Sequence, residues 1–145
     1  MKFLSFIVFV LFNQPGAFSA EDCKKNCILE NKPQTAPRVQ QKNLLGGKLD
    51  QCSLNPLTGY DRSGYCRFFP NDRGKHLVCA QVSKEFLEFT KKQGNDLSTP
   101  NMRYGFPGLK PGDRWCLCSS RVIEANRSGL ILRVIKESTN EFAWK

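Results

Sequence analysis

The stretch LVCAQVSKEFLEFTKKQG (77–94) decides the fold. Its first six residues, Leu77 to Val82, form a short, mostly apolar run and read as a buried strand. Ser83 then supplies a helix N-cap. Glu85 lies in the first turn, and Phe86, Leu87 and Phe89 make an apolar stripe. Lys91 and Lys92 lie in the last turn, with Gly94 just past the end. A strand passing directly into an amphipathic helix predicts mixed architecture.

Downstream, residues 94–114 show no periodic pattern. They carry Leu97, Tyr104, Phe106 and Leu109, too much large apolar surface for a disordered linker. An ordered loop packed by its own side chains is expected. Lys110-Pro111-Gly112-Asp113 suits a type II turn, with proline second and glycine third. Trp115 to Ser119 then reads as a strand. Ser120 is expected to cap a short helix ending near Gly129, and LILRVIKES (130–138) has the β-branched content of another strand. Thr139 is placed as the cap of a final turn, NEFAWK. Upstream, Asn55-Pro56, Thr58-Gly59 and Asp61-Arg62-Ser63-Gly64 make the stretch from Cys52 to Cys66 loop-rich. The fold class is α+β, a small, loop-rich two-layer sandwich in one domain over residues 43–145.

The N-terminal part differs in character. MKFLSFIVFVLFNQPGAFSA (1–20) has a basic residue, a ten-residue apolar run from Phe3 to Phe12 and small residues at Ala17, Ser19 and Ala20, the pattern of a secretory signal peptide. A bilayer span needs about 20 apolar residues, and this run breaks at Asn13-Gln14-Pro15-Gly16. No later segment is long or apolar enough to span, so the chain is expected in the secretory lumen or outside the cell. Residues 21–42 read as an extension and linker. Asp22 to Glu30 are expected to make a short helix there, with Cys23 and Cys27 on one face, and Pro33 and Pro37 to end regular structure.

The net charge of +9 is spread along the chain, and the longest basic runs are only Lys24-Lys25 and Lys91-Lys92. Nucleic-acid binders cluster their basic residues, so the charge is read as solvating. The expected partner is a small molecule or a protein.

Seven cysteines point to disulfides in an oxidising compartment, and an odd count leaves one over. Cys23, Cys27, Cys52 and Cys66 are candidates for bridging; spacing does not give the connectivity. Cys116 and Cys118 sit at i and i+2 on a strand, so both thiols face one way, about 6.5–7 Å apart at Cα. That is at or beyond disulfide geometry, so they are not expected to bond each other. Two readings stay open. Both cysteines are structural, or Cys79, Cys116 and Cys118 form with His76, the single histidine, a redox or soft-metal site suited to zinc or copper. Asp96, Asp113, Arg114 and Trp115 are the candidate pocket residues beneath the long loop. Asn126-Arg127-Ser128 is a glycosylation sequon if the source is eukaryotic. No complete catalytic motif is present.

Five stretches together resemble a known family: CSLNPLTGYDRSGYC (52–66), DRGKHLVCA (72–80) as D-x-G-x-H-x-V-C-A, EFLEF (85–89), GNDLSTP (94–100) and FPGLKPGDRWCLC (106–118). From about Asn43 to Trp144 the chain resembles the small, mainly bacterial domain of unknown function 2237. The resemblance implies an α+β two-layer domain with matching cysteines at Cys52, Cys66, Cys79, Cys116 and Cys118, and implies no activity or substrate. It also implies relatives without a leader, in reducing cytosol, where thiols serve another purpose than bridging. Two positions depart from its pattern. Tyr65-Cys66 stands where relatives often carry Cys-Cys, and Asn140 where they often carry histidine.

Overall fold

A computed structural model describes residues 40–145. The expected leader, the 21–42 linker up to residue 39, and Cys23 and Cys27 lie outside the described residues. The remainder is a small α+β domain. Strand β1 is Val78–Gln81, helix α1 Lys84–Lys92, β2 Arg114–Leu117, α2 Ser119–Arg127 and β3 Arg133–Val134. The sheet is antiparallel throughout, in the order β2-β1-β3.

Register divides the sheet into two chemically different faces. Val78 pairs with Leu117 and Ala80 with Trp115, whereas Cys79 pairs with Cys116. Opposed residues in an antiparallel pair share a face. The first set joins Phe86, Leu87, Val122, Ala125 and Leu109 in the main apolar core, so the helices cover that side. The second set meets Cys52 and Cys66 in a separate buried cluster, so sulfur covers the other.

Helix α1 begins and ends as its sequence indicates. The Ser83 hydroxyl accepts from Phe86 N at 3.1 Å. At the far end Gly94 N donates to Lys91 O and Asn95 N to Thr90 O, closing the left-handed cap at Gly94. Phe86, Leu87 and also Thr90 are buried. The 110–113 turn forms with Gly112 at φ 96° and Asp113 N bonded to Lys110 O.

Three expected boundaries are corrected. Helix α2 starts at Ser119 with Cys118 as its N-cap, not Ser120. Ser119 is tied by its amide and hydroxyl to Lys75 O, at 3.2 and 3.3 Å, and that anchor ends β2 and turns the chain. The strand expected over 130–138 is confined to Arg133–Val134, followed by a 3-10 turn at Lys136–Ser138. The edge of β1 beyond Ala80 is occupied by other donors and acceptors. Thr139 Oγ1 accepts from Cys79 N at 3.0 Å, and Leu77 O accepts from Asn140 N at 3.0 Å. Thr139 is therefore turned inward, and Asn140 caps the last turn by accepting from Phe142 N.

The 94–114 segment is an ordered loop containing a 3-10 turn at Met102–Tyr104. Asn101 and Phe106 exchange backbone hydrogen bonds at 2.7 and 3.0 Å, and Leu109 N donates to Leu97 O. Leu109 is buried, with Leu97 and Phe106 packed against the core, which keeps the loop over β2.

Candidate functional site

The sulfur face is built by the 52–66 loop lying across β1 and β2. Cys52 N and Ser53 N donate to Gly64 O, and the buried Thr58 hydroxyl accepts from Cys116 N at 2.9 Å. The loop thereby takes the outer edge of β2. Cys52 bonds Cys79, and Cys66 bonds Cys116. The neighbours Cys116 and Cys118 do not bond each other, and Cys118 is the free cysteine among the described residues.

Residues 72–76, DRGKH, form a tight loop leading into β1. The Asp72 side chain is 2% exposed, and its two oxygens are both committed to His76. Oδ2 accepts from the His76 backbone amide at 2.7 Å, and Oδ1 lies 2.7 Å from Nδ1. Backbone and ring are thus fixed by one carboxylate, which leaves Nε2 as the nitrogen turned to other partners. Gly74 is required by a close approach: a β-carbon there would stand 2.6 Å from the His76 Cε1. Lys75 takes the left-handed conformation, φ 48°, uncommon for a long side chain. Its carbonyl is the acceptor for Ser119, so the loop that holds His76 also holds the start of α2.

That anchor joins the residue after Cys118 to the residue before His76. Cys118 is partly exposed, and its side chain makes no capping bond. Cys118 is the strongest influence keeping His76 protonated; partial burial opposes it and Asp72 adds to it. Together they push the histidine up to about 9. The buried carboxylate of Asp72 thus orients the imidazole.

One cleft reaches His76, and a second shares two of its walls. The smaller, about 170 Å³, is lined by Gly59, Tyr60, Arg62, His76, Trp115 and Cys116. Tyr60 stacks on the His76 ring with centroids 6.2 Å apart. The larger, about 370 Å³, lies beneath the long loop, with Arg62, Leu97, Tyr104, Phe106 and Trp115 among its walls. Arg62 and Trp115 belong to both. The Arg62 guanidinium sits 5.0 Å from the Trp115 ring centroid, a cation–π distance. Phe106 meets the same indole edge-on at 5.4 Å.

The residues singled out in the sequence are distributed as follows. Trp115 and Asp96 line the larger cleft. Asp96 is a turn former: it accepts from Ser98 N, Thr99 N and the Thr99 hydroxyl and pairs with Lys91 at 3.0 Å. The Thr99 hydroxyl first, then the Ser98 amide and Lys91, hold its carboxyl far below the usual range. Asp113 accepts from Lys110 N within its turn, and Arg114 is exposed on β2; neither lines a cleft. Cys79 and Cys116 are in disulfides, so of the four residues named for zinc or copper only His76 and Cys118 keep free donor atoms. The sulfurs of Cys52, Cys66 and Cys116 lie within 4.8 Å of one another, but all three are bonded. A disulfide sulfur is not the thiolate a metal takes. Asn126 is exposed on α2. Asp72, Arg62 and Tyr60 were not anticipated. The signal for Asp72 was present in the D-x-G-x-H spacing, which puts a carboxylate one tight turn before an imidazole.

The profile of a family described as uncharacterized proteins conserved in bacteria, DUF2237, matches residues 42–145. The chain belongs to that family. A comparison with curated proteins finds no match. In this member of the family the cysteines of the resemblance divide into two disulfides and one free thiol. Asn140 is buried and donates to Gln41 Oε1, tying the end of the domain to its beginning. Among the described residues no helix is long and apolar enough to cross a membrane.

Proposed function

We propose that the chain is a secreted, disulfide-supported binding module whose ligand, a small aromatic or apolar molecule bearing an acidic group, occupies the cleft beneath the 94–114 loop. The observation that carries this reading is the larger cleft. Its volume of about 370 Å³ is in the range of small-molecule sites, and its aromatic and aliphatic walls hold one cation, Arg62, while the one carboxylate of the lining, Asp96, is already paired with Lys91. Its frame is rigid, because Trp115 stands on a strand whose next residue is in a disulfide. The two disulfides and the signal-like residues 1–20 support an extracellular setting.

Phenylacetate and a matched uncharged amide serve as probes, read by backbone NMR of the purified protein. Saturable shifts confined to Arg62, Leu97, Tyr104, Phe106 and Trp115, and weakened at least about fivefold in Arg62→Ala, support the reading. Shifts scattered over the surface, or equal binding of acid and amide by Arg62→Ala and wild type, contradict it.

A further inference from the structure

We propose that Cys52, Cys66, Cys79 and Cys116, when reduced, form a four-thiolate site for one zinc ion. The site is independent of ligand binding in the larger cleft. It rests on the convergence of four sulfurs on one face of the sheet. The sulfurs of Cys52, Cys66 and Cys116 all lie within 4.8 Å of one another, and Cys79 joins them through its bond to Cys52. Four sulfurs held about 2.3 Å from a tetrahedral zinc stand ~3.8 Å apart, inside that limit. Their backbones are fixed by bonds that do not involve sulfur. Cys79 and Cys116 face each other in the β1–β2 register. Cys79 N donates to the Thr139 hydroxyl and Cys79 O accepts from Ile135 N, while Cys116 N donates to the Thr58 hydroxyl. Cys52 N donates to Gly64 O, closing the loop that leads to Cys66. Breaking both disulfides therefore leaves four thiols gathered at one place.

The surroundings suit a structural metal. All four residues are buried, at 4% exposure or less, and Ile135 packs against them. An apolar shell of this kind limits the access of water to the site. Cys116 also lines the smaller cleft beside Arg62, which gives a way in and a positive charge near an anionic four-thiolate centre. Catalytic thiol exchange fits these sulfurs less well, because reactive cysteines are partly exposed.

The ion and the disulfides are alternatives. Before it meets an oxidising compartment the chain carries thiols, and zinc displaces their protons to solvent. On oxidation the four thiolate sulfurs pass four electrons to two molecules of a small-molecule disulfide. Two S–S bonds form, Cys52–Cys79 and Cys66–Cys116, and the ion is released. The four small thiols produced take their protons from solvent.

The test uses full-length protein carrying Cys23→Ser, Cys27→Ser and Cys118→Ser, reduced with a phosphine under argon and titrated with cobalt(II) as a coloured stand-in for zinc. The expected result is one ion per chain, with sulfur-to-cobalt charge-transfer absorption, the strong visible bands of tetrahedral geometry, and displacement by zinc. Adding Cys66→Ser weakens binding by more than the ~10–100-fold that loss of a supporting group costs. Glutathione disulfide then releases one zinc per chain from the loaded protein as the two disulfides form. If Cys66→Ser does not fold, the charge-transfer intensity counts the bound sulfurs: four support the site, and fewer overturn it. If the reduced chain unfolds without metal, zinc restores its far-ultraviolet circular dichroism; a chain that stays unfolded in excess zinc overturns the proposal. So do a titration without charge-transfer absorption and binding unchanged by Cys66→Ser.

Discussion

At the scale of single residues, the decisive fact is how much one carboxylate does. Asp72 is buried, and burial of a charge is tolerated only where its oxygens are paired; here both go to His76. Because this is the single histidine, its ring protons titrate unambiguously. By NMR the midpoint is expected near 9, and it falls towards the ordinary value in Cys118→Ser, since that sulfur is the first cause of the rise. The stability consequence follows in sign. A histidine raised above its unfolded value stabilises the fold fully below about pH 6.5, and the contribution fades as pH climbs through about 9. The melting-temperature advantage of wild type over His76→Gln is therefore greatest near pH 6 and shrinks towards pH 9.5. Gly74→Ala pushes a methyl group into the ring and is expected to cost about 1–3 kcal/mol. The site was half legible at this scale. His76 and Cys118 stood out as a lone histidine and an unmatched thiol. Asp72 did not, because an aspartate in a turn usually serves the turn, and here it serves the imidazole across it.

At the scale of elements, local chemistry predicted what was local. Ser83, Glu85, the lysines and Gly94 set where α1 starts and stops within its own sequence. The 130–138 segment failed as a strand because its fate is decided from a distance. Sixty residues separate Thr139 from Cys79, whose amide it satisfies. Thr139 is fully buried, so Thr139→Val leaves that amide without an acceptor and is expected to cost about 1–3 kcal/mol in urea unfolding. Ser83→Ala, by contrast, removes one cap bond and costs about 1 kcal/mol. The clefts were legible only in part for the same reason. Trp115 and Asp96 lie where the long loop suggested, but Arg62 reaches Trp115 from a turn more than fifty residues earlier in the chain.

At the scale of the whole molecule, the sheet separates two kinds of stabilisation. One face is covered by helices through apolar packing, the other by a loop cross-linked through sulfur. The alternation of β2 foretold two faces but not their partners, because Cys52 and Cys66 are placed by the loop's turns. Each bridge closes a long loop, with separations of 27 and 50 residues, so each is expected to add about 2–5 kcal/mol. A Cys66→Ser, Cys116→Ser double variant should accordingly melt well below wild type while keeping the β1–α1 unit. The arrangement as a whole depends on which sulfurs are bonded. Peptide mass mapping of non-reduced protein, alkylated before digestion, reads this directly. The expected products are peptides joined through Cys52–Cys79 and Cys66–Cys116, with the alkyl label on Cys118. A disulfide at Cys118, or an alkyl label on Cys79 or Cys116, would contradict it.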